Sequence, residues 1–478
     1  MFKVIGRLIA LCISCAVAAC AQDLPALQSE VRDLHALVEK LQARIEELEA
    51  KVGSGSPAPI DDAILSTVPA VNPTPVTAAG VPSSSAVLSA AAPAPDPPLP
   101  ATGFPGGTTF NVLFDGYYGY NFNAPIGRVN LLRAYDVSSN NFSINQAALV
   151  VENAAEPDHG KYWGLRLDLQ YGQATETLQG NAQNEPRPDI YRNIFQAYGT
   201  IVIRLGHHDV TVDFGKFASS LGIEGNYTKD QINYSRSYWF EYLPFYHMGA
   251  RVSYKVNDKL ALNYWVTNGT QQTEAFNGFK DQYFGLALQP SKNVTWNVNY
   301  YLGQEHPDVM FYPYGAPPGL TNLPTQQGVP FQYIPNAPTG RLHIFDSYAT
   351  AQLTRALTLE GEADWVIERL YTYSPPLHTA GGGAYIRYQL PKHFAVAARA
   401  EYLDDRGALF SGVQQALKEC TFTTEYRFAN DFLMRGEWRR DFSNRPFFYT
   451  DTLGVLSNHQ TTLTLGVIWW FGTKQGAW

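Results

Sequence analysis

The sequence predicts an all-β fold: a transmembrane antiparallel up-and-down β-barrel of about 16 strands, preceded by a short α-helical coiled coil and a Pro/Ala-rich linker. Three observations lead to this prediction. Segments of alternating polar and apolar residues recur over residues 107–478, short and long connections alternate between them, and a heptad repeat lies near the N-terminus.

The last segment, residues 461–472, shows the alternation most clearly. One of its faces is apolar and ends in aromatic residues, while the other begins with Thr and Gly. Its length suits a tilted strand that crosses a bilayer, about 9 to 11 residues. A single segment of this kind would also fit a soluble β-sandwich, but its recurrence favours a membrane barrel. The apolar positions are Leu463, Leu465, Val467, Trp469 and Phe471.

The connections support the same architecture. Short turns carry typical turn residues, as at Asn257 and Asp258, and long loops lie between them. Short turns on one rim and long loops on the other are typical of bacterial outer-membrane barrels. Candidate strands lie near residues 109–122, 142–152, 161–172, 191–204, 209–217, 246–256, 259–268, 281–289, 294–303, 341–353, 357–368, 384–390, 394–403, 418–428, 431–441 and 460–471.

Residues 1–21 predict a secretory signal peptide, because Lys3 and Arg7 precede an apolar core, Leu8 to Ala18, that is followed by small residues. Cleavage before Gln22 would leave Cys420 as the only cysteine and would exclude an intrachain disulfide. Residues 17–20 also resemble a lipobox, which would leave Cys20 lipidated. Both alternatives stay open.

Residues 22–52 predict a coiled coil, with four unbroken heptads and charged outer positions. The alternative is a single amphipathic helix packed on the barrel. Residues 53–106 are rich in Pro, Ala, Ser and Gly and predict a mobile linker. The a positions are Leu24, Val31, Val38 and Ile45, and the d positions are Leu27, Leu34, Leu41 and Leu48.

The charge balance disfavours a nucleic-acid partner. Basic residues number 35 against 43 acidic residues, and removing Lys3 and Arg7 with the signal peptide leaves 33 against 43. No basic stripe is present. Beyond the signal peptide no apolar run reaches the roughly 18 residues of a transmembrane helix, so strands must provide any membrane crossing.

Three motifs resemble a known family. DFGKFASSLGIE at residues 213–224, NYSRS at 233–237 and WVTNG at 265–269 are similar to the OmpL-like β-barrel porins of diderm bacteria. The resemblance covers about residues 107–478. It implies an outer-membrane porin, without implying a particular solute, and the heptads and linker lie outside it.

The predicted inward faces of the strands carry mixed charge, with six Arg against eight carboxylates. Opposite charges across a water-filled lumen would order water and discriminate between solutes. The alternative is that these charges satisfy one another in a narrow, plugged barrel. The predicted pore-lining residues are Arg166, Asp168, Glu360, Glu362, Asp364, Arg387, Arg399, Glu401, Glu425, Arg427, Arg435, Glu437, Arg439 and Asp441.

The third long loop, residues 218–245, combines charged and aromatic residues and is predicted to fold inward as a constriction. A surface loop is the alternative. The candidate constriction residues are Glu224, Lys229, Asp230, Arg236 and Glu241.

These patterns predict a porin for passive diffusion of small hydrophilic solutes, with a weak cation preference and its N-terminal segment in the periplasm. No cofactor or metal is expected. The only histidine cluster, His207-His208-Asp209, lies in a short turn, and Glu360 and Glu362 fit a lumen lining better than catalysis.

Expected partners are outer-membrane lipid, solutes and further copies of the chain. The heptads favour a dimer. Barrels of this size favour a trimer, and the trimer is the assembly that we expect. The alternatives are an envelope-anchoring structural barrel whose coiled coil binds a periplasmic or cell-wall partner, and an outer-membrane hydrolase.

Overall fold

The computed structural model describes residues 106–178, 185, 187–206, 208–474 and 477–478. The predicted signal peptide, the coiled coil and the linker up to residue 105 lie outside the described residues. Within the described residues, no helix is both long and apolar enough to cross a bilayer.

Sixteen antiparallel strands form one closed barrel, which confirms the predicted barrel and its strand number. Each strand pairs with its neighbour along the chain, and the last strand pairs with the first, so that Trp469 lies opposite Phe114. The barrel strands are β1 (Thr108–Asn121), β2 (Asn141–Asn153), β3 (Trp163–Tyr171), β4 (Ile194–Leu205), β5 (His208–Ala218), β6 (Tyr246–Asn257), β7 (Leu260–Thr267), β8 (Asp281–Ser291), β9 (Val294–Gly303), β13 (Leu342–Gln352), β14 (Leu357–Glu368), β15 (Leu377–Gln389), β16 (Phe394–Asp405), β17 (Gln415–Ala429), β18 (Phe432–Ser443) and β21 (His459–Gly472).

The long loops contain small elements of their own. Two further sheets lie there, one formed by β10 (Val309–Phe311), β11 (Thr325–Gln326) and β12 (Val329–Tyr333), the other by β19 (Phe448–Tyr449) and β20 (Leu456–Ser457). Short helices lie at Gln173–Leu178, Pro188–Tyr191 and Tyr238–Tyr242, and a 3-10 turn lies at Thr228–Asp230. A second 3-10 turn, Pro157–His159, lies in the connection between β2 and β3 on the short-turn rim.

The outward faces carry two belts of contacting aromatic rings, as expected at the two interfaces of a membrane barrel. Ring centroids of neighbouring members are between 4.6 and 6.3 Å apart. The belt towards the long loops comprises Tyr264, Phe284, Tyr300, Phe345 and Trp365, and the belt towards the short turns comprises Tyr426, Phe428, Phe432, Trp469 and Phe114.

The predicted start of one strand was wrong. The prediction placed it at residues 384–390, whereas β15 begins at Leu377, because the glycine run at 381–383 interrupts the alternation and resembles a loop. In the barrel, a Cβ at Gly381 would lie 2.0 Å from the carbonyl oxygen of Tyr402. The glycines therefore let neighbouring backbones approach closely within a continuous strand.

Candidate channel interior

Residues 219–245, which we call the inner loop, lie inside the barrel. The loop leaves β5 at the long-loop rim and returns to β6, its neighbour. Most of its side chains are buried, and Tyr234, Tyr238 and Trp239 are fully inaccessible to solvent. Because the loop makes no β-sheet pairing with a strand, its backbone N–H and C=O groups need other hydrogen-bond partners.

One wall of the barrel, formed by β1, β2 and β3, supplies acceptors to the loop. Tyr234 donates its hydroxyl to Asp115 at 2.8 Å, and Tyr227 donates its hydroxyl to Asp168 at 2.6 Å. The backbone N–H of Thr228 donates to Gln146 at 3.1 Å. These contacts hold the middle of the loop against the first three strands.

Carboxylates on later strands accept backbone N–H groups of the same loop. Glu437 accepts from Tyr234 and Ser235 at 2.6 and 2.8 Å. Glu401 accepts from Tyr238 at 3.1 Å, and Glu362 accepts from the backbone N–H of residue 223 at 3.0 Å. Strands β14, β16 and β18 thus satisfy backbone N–H groups of the loop that have no partner in a strand ladder.

Three arginines complete the attachment by donating to loop carbonyls. Arg399 donates to Ser235 O at 2.8 Å, and Arg439 donates to the carbonyl of Arg236 at 2.5 Å. Arg435 donates to the carbonyls of residues 228, 231 and 233 at 2.8, 2.5 and 3.2 Å. The inner loop is therefore bonded to the β1–β3 wall and to the β16–β18 wall at once.

The loop tip reaches almost to the short-turn rim. The Lys229 ammonium lies 2.7 Å from Asp230 and 4.6 Å from the ring centroid of Trp478. The backbone N–H of Trp478 donates to Asp230 at 3.1 Å. Since Trp478 follows β21, the tip meets the segment beyond the last strand.

The family comparison decides the identity of this barrel. The model of the family described as "Putative beta-barrel porin-2, OmpL-like" matches residues 107–471. The chain belongs to this family. This OmpL-like porin is accordingly an outer-membrane β-barrel, and its family and fold indicate a channel rather than an enzyme. The comparison with curated proteins found no match.

Solved structures similar to the OmpL-like porin include three outer-membrane proteins. An anion-selective porin from Comamonas acidovorans has a TM-score of 0.48 and 8% identity, covering 76% of this chain and 99% of its own. The channel DcaP of Acinetobacter baumannii has a TM-score of 0.46 and 10% identity, covering 76% and 97%. OmpT of Vibrio cholerae has a TM-score of 0.45 and 8% identity, covering 78% and 100%.

All the predicted pore-lining residues of the OmpL-like porin lie on inward positions of the strand register. Most of their ion pairs run along the wall. Arg166 pairs with Asp168 at 2.8 Å and Arg439 with Asp441 at 2.8 Å. Glu425 receives three arginines, Arg387 at 3.0 Å, Arg427 at 3.7 Å and Arg435 at 2.8 Å.

The five candidate constriction residues all belong to the inner loop. Glu224 pairs with Arg399 at 2.8 Å and also accepts from the backbone N–H of Ser237 at 2.7 Å. Arg236 donates to carbonyls of the loop itself and stacks on Tyr135 with its guanidinium carbon 4.7 Å from the ring centroid. These charges brace the loop internally as well as against the wall.

Sequence reasoning missed two contributors to the interior. Arg133, from the loop between β1 and β2, reaches inward and donates to Asp441 at 2.8 Å. Gly466 on β21 makes room for the ring of Tyr234, because a Cβ there would lie 2.2 Å from a ring carbon. The inward position of Gly466 was readable from the alternation of the last strand, but its partner 232 residues away was not.

The residues considered for catalysis have separate hydrogen-bond partners or lie on the rim. Glu360 accepts from the Thr350 hydroxyl at 3.3 Å, whereas Glu362 holds the inner loop. His208 is exposed at the start of β5, and position 207 lies outside the described residues. These placements fit a lumen lining and a rim turn.

Proposed function

We propose that the chain forms a water-filled channel for passive diffusion of small hydrophilic solutes, narrowed by the inner loop. The observation that carries this proposal is the fixation of residues 219–245 inside the barrel by charged groups of both walls. A loop bonded in this way leaves solutes only the space between itself and the wall. Passage would then depend on solute size and on the charges that border this space.

We further propose a weak cation preference. Four carboxylates on adjacent strands form an acidic strip: Asp346, Glu360, Glu362 and Asp364. Among the described residues, none of the four forms an ion pair with Arg or Lys, whereas the arginines of β16 and β18 are engaged by carboxylates and loop carbonyls. At this strip the lumen therefore carries acidic side chains that no Arg or Lys of the described residues balances.

Planar-bilayer recordings of the purified full chain test both parts. The expected result is discrete conductance steps and a cation-selective reversal potential in a salt gradient. The preference should shrink with salt, since the Debye length falls to about 3 Å at 1 M. Replacing Glu360 with Gln should weaken the preference. The matched control is Asp258→Asn, which removes the same charge from an exposed turn. Clear anion selectivity would overturn the cation proposal.

One observation favours a second candidate function. Arg399, Arg435 and Arg439 are each at most 2% exposed, which fits an interior filled by the loop. A barrel of this kind would serve as an envelope anchor, with the predicted coiled coil of residues 22–52 contacting a periplasmic or cell-wall partner. Absence of conductance from folded protein, together with copurification with cell wall that is lost when residues 22–52 are removed, would favour the anchor over the channel.

A further inference from the structure

Three carboxylates of the acidic strip converge on one point of the barrel wall. Asp346 on β13 and Asp364 on β14 are directly opposite in the antiparallel register, and Glu362 lies two residues along on the same face. We call Asp346, Glu362 and Asp364 the acidic triad. One oxygen of each lies within 4.8 Å of an oxygen of the other two, and all three side chains are buried.

The triad lacks the partners that satisfy other buried acids of the lumen. Both oxygens of Asp364 and Oδ1 of Asp346 are buried without a hydrogen-bond donor. Within the described part of the chain, no Arg or Lys pairs with any triad member, whereas Glu425 has three such partners. Like charges directly opposite one another destabilise a sheet, and buried carboxylates without donors are costly.

The remaining oxygens of the triad are already oriented by neighbours. Asn299 donates to Oδ2 of Asp346 at 2.5 Å. The backbone N–H of Ile223 donates to Glu362 at 3.0 Å, and the Tyr385 hydroxyl lies 3.4 Å from the other oxygen of Glu362. Such outer hydrogen bonds are the usual support of metal ligands. Because both oxygens of Asp364 lack a donor, the one that lies within 4.8 Å of the other two carboxylates is free of hydrogen bonds.

We propose that the acidic triad binds one divalent cation, and that Ca²⁺ fits it better than Mg²⁺. Oxygens that bind one Ca²⁺ at about 2.3–2.6 Å can lie up to about 5 Å apart, so three carboxylate oxygens within 4.8 Å of one another can share one Ca²⁺. Mg²⁺ demands near-ideal octahedral geometry and loses its water reluctantly, so a buried site with three carboxylates suits it less well. The triad is mounted on two paired strands, so the separation is set by the sheet, and the larger, more tolerant ion suits it.

The proposal extends beyond conduction, and its test needs no channel activity. Purified protein in detergent, stripped with a chelator, is titrated with Tb³⁺, which takes oxygen ligands as Ca²⁺ does. Tb³⁺ luminescence excited through nearby tyrosines, Tyr385 among them, reports binding. One saturable site per chain is expected, displaced by Ca²⁺ more readily than by Mg²⁺.

Three variants distinguish binding at the acidic triad from non-specific attraction of cations to an acidic protein. Asp364→Asn removes a charge without changing shape and should weaken binding by about tenfold or more. Asp346→Asn should do the same and serves if the first variant fails to fold. The matched control, Glu368→Gln, removes a charge from the same face of β14 outside the acidic strip and should leave the affinity unchanged. Absence of a saturable site, or equal losses in Glu368→Gln and Asp364→Asn, would overturn the proposal.

Discussion

Replacing Arg435 with Ala should release the inner loop from the barrel wall. The Arg435 guanidinium is buried between the wall and the loop, where it donates to Glu425 and to three loop carbonyls. Its neighbour Arg387 also donates to Glu425, at 3.0 Å, but makes no hydrogen bond to the loop among the described residues. The two arginines therefore share an ion-pair partner and differ in their contact with the loop.

The size of the effect follows from these contacts. A hydrogen bond from a charged donor contributes about 1.5–3 kcal/mol net, and bonds sharing one donor group are not additive. Losing three such bonds should reduce the free energy of local loop opening by about 3 kcal/mol or more, since removing one partner from a buried network costs about 3–5 kcal/mol. A loss of 3 kcal/mol corresponds to about a hundredfold loss of protection, at roughly 1.4 kcal/mol per factor of ten.

Hydrogen exchange followed by mass spectrometry measures this quantity directly on the folded barrel. In Arg435→Ala, amides of residues 228–236 should exchange about a hundredfold faster, while amides of the strands keep their protection. Arg387→Ala is the control and should leave loop exchange unchanged, because Glu425 retains Arg435. Equal acceleration in both variants would refute the reasoning, as would unchanged exchange in Arg435→Ala.

Four other predictions address the loop, the lumen and the assembly. Deleting Asn226 to Tyr238 should raise single-channel conductance and admit larger sugars in a liposome-swelling assay; unchanged conductance from a folded barrel would place the loop outside the permeation path. Gly466→Val should collide with the tyrosine ring above it and destabilise the docked loop by about 1–3 kcal/mol, seen as faster loop exchange; normal exchange would contradict this. Removing residues 22–52 should reduce the oligomer to monomers in light scattering, and a particle of unchanged size would assign the heptads to another partner. Burial and the adjacent Asp281 carboxylate raise the pKa of Glu305, in the loop after β9, well above 4.5. The stability that Glu305 gives its loop should therefore be greatest below pH 4.5 and decline as pH rises through the raised pKa. Hydrogen exchange of the loop amides, corrected for the intrinsic exchange rate at each pH, measures this decline.

The sequence was sufficient for the strands because their two faces meet different environments. Polar residues such as Arg166 and Asp168 alternate with exposed Leu165, and this period of two identifies both the strand and its inward face. The glycine run in β15 interrupts that period, so the start of this strand could not be predicted. The alternation of polar and apolar residues predicts the bounds of a strand only where that alternation is unbroken.

The contacts of the inner loop lay beyond sequence reasoning. Charge and aromatic content indicated an inward fold, but the bond from Arg435 to the Thr228 carbonyl joins residues 207 positions apart. Such a pair depends on which strands close the barrel and on the path of the loop. The convergence of Asp346 with Asp364 likewise depends on exact register, since a shift of one residue would turn one carboxylate to the lipid face.

The inner loop makes contacts across the seam where β1 meets β21. Tyr234 lies against Gly466 on β21, its hydroxyl bonds Asp115 on β1, and its backbone N–H bonds Glu437 on the adjoining strand. One residue of a loop from the middle of the chain thus joins the first strand to the last two. These contacts add hydrogen bonds across the seam to those of the strand ladder. The docked loop therefore adds to the resistance of the seam to opening sideways into the lipid.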